Sequence, residues 1–240
     1  MKNSLYTEPR VLVRRPSLTA RWLRRLLSLV AALCIILFPW SGHFPCRFVA
    51  TPLRSLPPRP PARDWNLPRD AFNNAVQFLK EHRSEFGNRR FITIIDYTKP
   101  STSRRLFLID MESGEVQRFL VSHGKNSGWL YAKRFSNQPE SNESPFGFFR
   151  TGREYFGSHG PSLELYGLQK GINDNTACRR IVIHGAYYAG WEAVAANGAR
   201  GMARLGRSLG CPAIPMEAAE TVIDRIKEGS LLYIYTNRES

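Results

Sequence analysis

Phe91-Ile92-Thr93-Ile94-Ile95-Asp96-Tyr97, then Arg105-Leu106-Phe107-Leu108-Ile109-Asp110-Met111, then Glu115-Val116-Gln117-Arg118-Phe119-Leu120-Val121-Ser122 decide the fold class of this chain. Each run is short, rich in β-branched and aromatic residues and bounded by turn-forming ones, the composition of strands rather than of core helices. Met111-Glu112-Ser113-Gly114-Glu115 joins the second and third as a hairpin. Working outward, residues 146–151, 162–168, 179–184 and 231–236 read as further strands, separated by loops rich in Gly, Asn, Ser and Pro. Strands and helices do not alternate across the middle of the chain, which argues against a parallel doubly wound sheet. The expected class is mainly β, a β-sandwich or partly closed barrel with a few peripheral helices. One helix is expected over Asp70–Phe86, where Phe72, Ala75, Val76 and Leu79 recur at helical spacing, and another over Met216–Lys227. Phe78 and His82 of the first need only a packed or solvated face.

The net charge of +14 looks at first like that of a nucleic-acid binder, but residues 1–68 carry +9 of it and leave +5 for the rest of the 240 residues. The excess is topological. Residues 1–25 form a basic lead and 26–40 an apolar run, the pattern of a signal-peptide core or a membrane anchor held by arginines on the cytoplasmic side. Trp22 and Leu23 would extend the run, so an inner-membrane helix over 22–40 stays open beside a cleaved signal. Residues 41–68 are Pro-rich and read as a stiff spacer, and 69–240 as one catalytic domain. No nucleic-acid partner is expected.

Ile181-Val182-Ile183-His184-Gly185 delivers a histidine at the end of an apolar run, and Gly206-Arg207-Ser208-Leu209-Gly210-Cys211-Pro212 presents a cysteine in a small-residue turn. A thiol is weakly ionised at neutral pH and needs an imidazole, a positive charge or a helix N-terminus beside it. His184 is the candidate base, Arg207 the nearby charge in sequence, and the helix from Met216 the candidate dipole. There is no CxxC and no metal-ligand spacing, so neither metal nor cofactor is expected. Cys178 reads as a buried small hydrophobe before a strand. The loop 123–144 is long for a compact domain, and Trp129, Tyr131 and Phe135 argue that it is ordered and lines a cleft. Tyr187, Tyr188 and Trp191 read by default as a local aromatic core, with a lid as the alternative.

These residues, together with Phe135-Ser136-Asn137 and Ser144-Pro145-Phe146-Gly147, resemble the murein L,D-transpeptidase catalytic-domain family, the YkuD-like proteins, in a branch with a long insert between histidine and cysteine. The resemblance spans roughly residues 90–215. It implies acyl transfer on peptidoglycan stem peptides outside the cytoplasm, in the periplasm, with Cys211 as nucleophile and His184 as base. Backbone N–H groups around Leu209 and Gly210 would hold the oxyanion, and the carbonyl of Gly185 would orient the imidazole. Arg207, Ser208, His123, Ser136, Asn137 and Tyr187 are the candidates for substrate contact; for Arg207 an acidic side chain is an equal alternative, and for Ser208 a local turn bond. Leu209 stands where the general family pattern has a second histidine.

Three other readings stay open. A sortase-like thiol enzyme also places histidine before cysteine; an L,D-carboxypeptidase would use water as acceptor; a non-catalytic cell-wall binding protein would keep the scaffold. A papain-like order is disfavoured because Cys211 follows all five histidines.

Overall fold

The computed structural model describes residues 65–237. The basic lead, the apolar run and most of the Pro-rich segment lie outside them. Among the described residues no helix is long and apolar enough to cross a membrane.

Eight strands form one sheet: β1 (Phe91–Asp96), β2 (Leu106–Asp110), β3 (Val116–Phe119), β4 (Gly147–Gly157), β5 (Gly160–Gly167), β6 (Val182–Gly185), β7 (Ala213–Ile214) and β8 (Leu231–Tyr235). Their spatial order is β3-β2-β1-β8-β4-β5-β6-β7, antiparallel except for β1 with β8 and β6 with β7. Past β3 the chain returns to the other edge: Ser122 bridges Ala213 of β7, and Gly124 bridges Ser208. The sheet is thereby nearly closed into a barrel, leaving few unpaired edge groups.

The central strands are buried on both faces, which is why they read as continuous apolar runs and not as alternation. In β1, β2 and β8, Ile95, Leu106, Leu108, Leu232 and Ile234 point into an inner core. Ile92, Ile94, Phe107, Ile109 and Leu231 point the other way, under α1 (Arg69–Glu81), whose Ala71, Phe72, Ala75 and Leu79 cover them. Trp65 packs edge-on against Phe72 with ring centroids 5.6 Å apart, and Leu67 is buried there too, so the end of the Pro-rich segment is part of this layer. The expected helix over 70–86 stops as an α-helix at Glu81 and closes with a 3-10 turn over Arg83–Glu85.

α1 is fastened by an aromatic column. His82, Phe78, Phe148 and Tyr233 stack face to face, with successive centroids 4.0, 4.0 and 4.2 Å apart. Phe78→Ala removes the middle of the column and is expected to cost about 3 kcal/mol, read as a lower midpoint in urea unfolding. A change below about 1 kcal/mol would show that the apolar face of α1 suffices alone.

α3 (Met216–Ile226) plugs the barrel with Ala218, Ala219, Val222, Ile223 and Ile226. α2 (Trp191–Ala199) has no buried residue and gives no amphipathic signal for sequence reading to find. Two expectations fail here. Tyr187, in the 3-10 turn Tyr187–Ala189, and Trp191, at the start of α2, are 85% and 48% exposed and form no aromatic core; of the three only Tyr188 packs inward, against Ala186, Ala189 and Ala213. Cys178 is exposed in a turn ahead of β6, and both it and Cys211 are free thiols.

Candidate active site

β6 ends at His184-Gly185, and its parallel partner β7 pairs Ala213 with His184 and Ile214 with Gly185. Cys211 lies two residues before Ala213, one diagonal step from the histidine on the neighbouring strand. The sequence separation of 27 is thus bridged by sheet pairing. Nδ1–H of His184 donates to the carbonyl of Gly185 at 2.8 Å. That bond sets the tautomer and leaves Nε2 as the basic atom. Burial pushes the imidazole below its ordinary value, the Gly185 carbonyl opposes this, and His159 adds to it. His159 sits in the two-residue tip of the β4–β5 hairpin and stacks on His184, with centroids 4.4 Å apart.

Sγ of Cys211 accepts from the Val182 N–H at 3.5 Å and donates to the Arg180 carbonyl at 3.7 Å. Burial raises the thiol above its usual range, while the Val182 N–H, Arg179 and the cysteine's own N–H pull it down. The cation that faces the sulfur is therefore Arg179, not Arg207. Arg179 also donates to the carbonyls of Ser136 and Glu143 and to Ser141 Oγ, so it pins the 136–143 loop beside the thiol. Sequence spacing missed it because its proximity comes from the turn before β6. With the thiol raised and the imidazole lowered, both shifts favour a neutral pair at rest over a preformed thiolate–imidazolium.

The turn that carries Cys211 is tied from several sides. Gly210 adopts φ +129°, where a side chain would be strained and would also meet Ile181 Cδ1 at 2.8 Å. Its carbonyl accepts from Ser144 Oγ at 2.9 Å. Ser144 is fully buried, accepts from the Gly124 N–H and takes its own N–H to Ser127 Oγ, which links the Cys211 turn to the start of the long loop. Ser208 makes the local bonds: its hydroxyl donates to the Cys211 carbonyl at 2.6 Å and accepts from the Gly210 N–H at 3.1 Å. Leu209 is 65% exposed.

The remaining candidates separate. Arg207 meets no acidic side chain among the described residues; it donates to the carbonyls of Lys125 and Gly128 and lies 4.0 Å over the Trp129 ring. Asn137 bonds Asp174 and Asn175, and Ser136 Oγ accepts from the Gln138 N–H, so both are engaged within the loop system. His123 is 1% exposed, with Nδ1 at 2.8 Å from Arg105. Burial, helped by Arg105, pushes it down to about 3. It stays neutral in the fold and protonates near 6.5 when unfolded, so stability is full above 6.5 and falls as pH drops toward about 3. By pH 4.5 His123 is expected to account for a loss of about 2–3 kcal/mol. Urea unfolding across pH 4–8 should show this limb, flattened in His123→Gln; identical limbs would contradict it.

Two clefts are lined by residues of the segments around the thiol and His184. One of 240 Å³ is lined by Arg180 and Val182, the residues touching the sulfur, with Tyr155 and Tyr166 opposite. The other, of 480 Å³, is lined by Tyr188, whose phenol is pushed up to about 12 by burial and by the charge of Cys211. No cluster of three metal-ligating side chains occurs among the described residues.

A nearly closed, mainly antiparallel barrel with a histidine in β6 and a cysteine in the turn leading into the adjoining β7 defines the class. The L,D-transpeptidase catalytic domain model matches residues 64–235, and the chain belongs to that family. Solved structures similar to it include an L,D-transpeptidase from Mycobacterium smegmatis (12% identity, TM-score 0.36, 61% of this chain and 59% of that one). L,D-transpeptidase 1 of Mycobacterium tuberculosis aligns at 13% identity and TM-score 0.34 over 61% of this chain and 62% of that one. L,D-transpeptidase 3 of the same organism aligns at 9% and 0.38 over 61% of each chain. The chain thus spans about three-fifths of these proteins, and membership rests on the family match. No curated protein matches.

Proposed function

We propose that the protein is a cysteine acyltransferase acting on peptidoglycan stem peptides. The observation that carries this reading is the pairing of His184 with Ala213, which brings the turn bearing Cys211 beside an imidazole oriented by the Gly185 carbonyl, with a cleft lined by the two residues that touch the sulfur. His184 Nε2 takes the thiol proton as Sγ attacks the carbonyl of the third stem residue. The Gly210 N–H is already given to Ser208, so the oxyanion is held by the N–H groups of Leu209 and Cys211, the latter already turned toward its own sulfur. The tetrahedral adduct collapses, the C–N bond to the terminal D-alanine breaks, and His184 returns the proton to the leaving amine. A thioester remains. The acceptor gives its proton to the same imidazole and displaces Sγ, and the imidazolium returns that proton to the thiolate: an amine yields a cross-link or exchange, water a trimmed stem.

The substrate lies outside the cytoplasm, and the basic lead and apolar run of residues 1–40 serve export to the periplasm or retention at the inner membrane. Intact-mass analysis of the purified chain with a tetrapeptide muropeptide tests the reaction. An adduct equal to the stem minus D-alanine, with free D-alanine in the supernatant, is the expected result. Folded protein with a titratable Cys211 thiol that yields neither adduct nor product across several stems would favour the non-catalytic cell-wall binding reading.

A further inference from the structure

The 480 Å³ cleft has a feature that thioester chemistry does not use. Four cations, Lys125, Arg200, Arg204 and Arg207, line it together with Tyr188 and Asn197, and no acidic side chain does. None of the four enters an ion pair among the described residues. Arg204 and Arg207 both lie over the Trp129 ring, at 4.7 and 4.0 Å. Each spends one guanidinium nitrogen on backbone carbonyls, Arg204 on that of Leu205 and Arg207 on those of Lys125 and Gly128. Nε of Arg204 is buried with no hydrogen-bond partner. Converging like charges and an unpaired buried donor are costly unless an anion completes them.

One wall of the cleft belongs to the segment that follows His184, through Tyr188, and the other to the segment that leads into Cys211, through Gly206 and Arg207. Gly206 donates to the Tyr188 carbonyl at 2.7 Å, and a Cβ on Gly206 would lie 2.4 Å from Tyr188 Cβ, so only glycine lets these walls close. Arg207 stands four residues before Cys211. Guanidinium planes held on an indole face suit the paired oxygens of a carboxylate.

We infer that this cleft is a carboxylate-binding subsite that holds the acidic groups of a stem peptide while its neighbouring carbonyl or amine reacts at Cys211. The inference rests on the acyl-transfer reading. A stem peptide carries free carboxyls at its terminal D-alanine and on a diaminopimelate side chain, next to the bonds being broken and made. Two or three carboxylates on one ligand match four cations better than a single charge would.

The test compares an acidic tetrapeptide stem with the same stem amidated at the diaminopimelate carboxyl. Arg200→Gln and Arg204→Gln are each expected to raise KM for the acidic stem by about 10- to 100-fold with kcat little changed. On the amidated stem the variants and the parent should be alike, and Arg204→Lys should recover part of the KM. Equal KM values on the acidic stem, or the same loss on the amidated one, would overturn the subsite. Inorganic phosphate is the third arm: if it competes in the parent and not in Arg204→Gln while amidation changes nothing, the cleft takes a phosphoryl group and the inference fails. Calorimetric binding to Cys211→Ala separates the two claims. Amidation-sensitive stem binding by a protein that forms no thioester would keep the subsite and reject the acyltransferase.

Discussion

Cys211→Ala is expected to abolish the thioester adduct and D-alanine release, lowering turnover by at least about a thousandfold, to the limit of detection. The size of the effect follows from what the sulfur does. In the proposed mechanism it is the atom that becomes covalently bonded, and the parts that remain, the oriented imidazole and the backbone N–H groups, have no bond to offer. His184→Ala should act in the same direction, because a thiol raised by burial and opposed only by Arg179 and two N–H groups is mostly protonated at neutral pH. The fold should tolerate Cys211→Ala. The side chain is half-buried and its contacts to Arg180 and Val182 are long, so a loss of about 1 kcal/mol is expected. D-alanine release that persists in the variant would remove Cys211 from the mechanism.

Arg105→Met is expected to cost about 3–5 kcal/mol, a fall in melting temperature on the order of 10 °C. Arg105 is wholly enclosed. Nη1 donates to the Lys99 carbonyl at 2.7 Å, Nε and Nη2 to that of Val121 at 3.2 and 2.9 Å, and Nη2 reaches His123 Nδ1. Its guanidinium lies 4.7 Å from the Tyr97 ring centroid. Burial brings it down to about 10, still charged at neutral pH. Methionine fills much of the volume but orphans these acceptors, each a buried polar group without a partner. The strand they belong to matters. Ser122, between Val121 and His123, pairs with Ala213 and accepts from the Tyr97 hydroxyl, and the His123 carbonyl accepts from the Ser208 N–H. Arg105 thus supports the closure of the barrel directly beneath the Cys211 turn. Arg105→Lys keeps a charge but not the planar fork and should recover less than half of the loss. Thermal and urea unfolding of both variants check this, and a cost under about 1 kcal/mol for methionine would contradict it.

Much of this was legible before any coordinates. Runs such as Ile92–Ile95 and Leu106–Ile109 place themselves in strands because β-branched and apolar residues crowd them, and the helix over 216–226 shows its period. Ends were less legible: β4 runs to Gly157 through Arg153 and Glu154, whose polarity reflects a projecting hairpin rather than a core strand. α2 was invisible because nothing on it is buried. His184 and Cys211 stood out by chemistry and context, and the Gly185 carbonyl was anticipated as the partner of the imidazole. Arg179 and Arg105 were not, since arginine in a turn or at a strand end is ordinary until a fold turns it inward.

The amino-acid sequence by itself determined seven of the eight strands, all but the two-residue β7, the two principal helices and the candidate pair of reactive side chains, because hydrophobic period and residue chemistry are local properties. Only the tertiary structure decided which cation meets the thiol, that Arg207 turns away from it toward Trp129, and that four basic residues from two segments share one cleft. Those are matters of distance between residues far apart in the chain, and pairing across the sheet, not spacing along it, sets that distance.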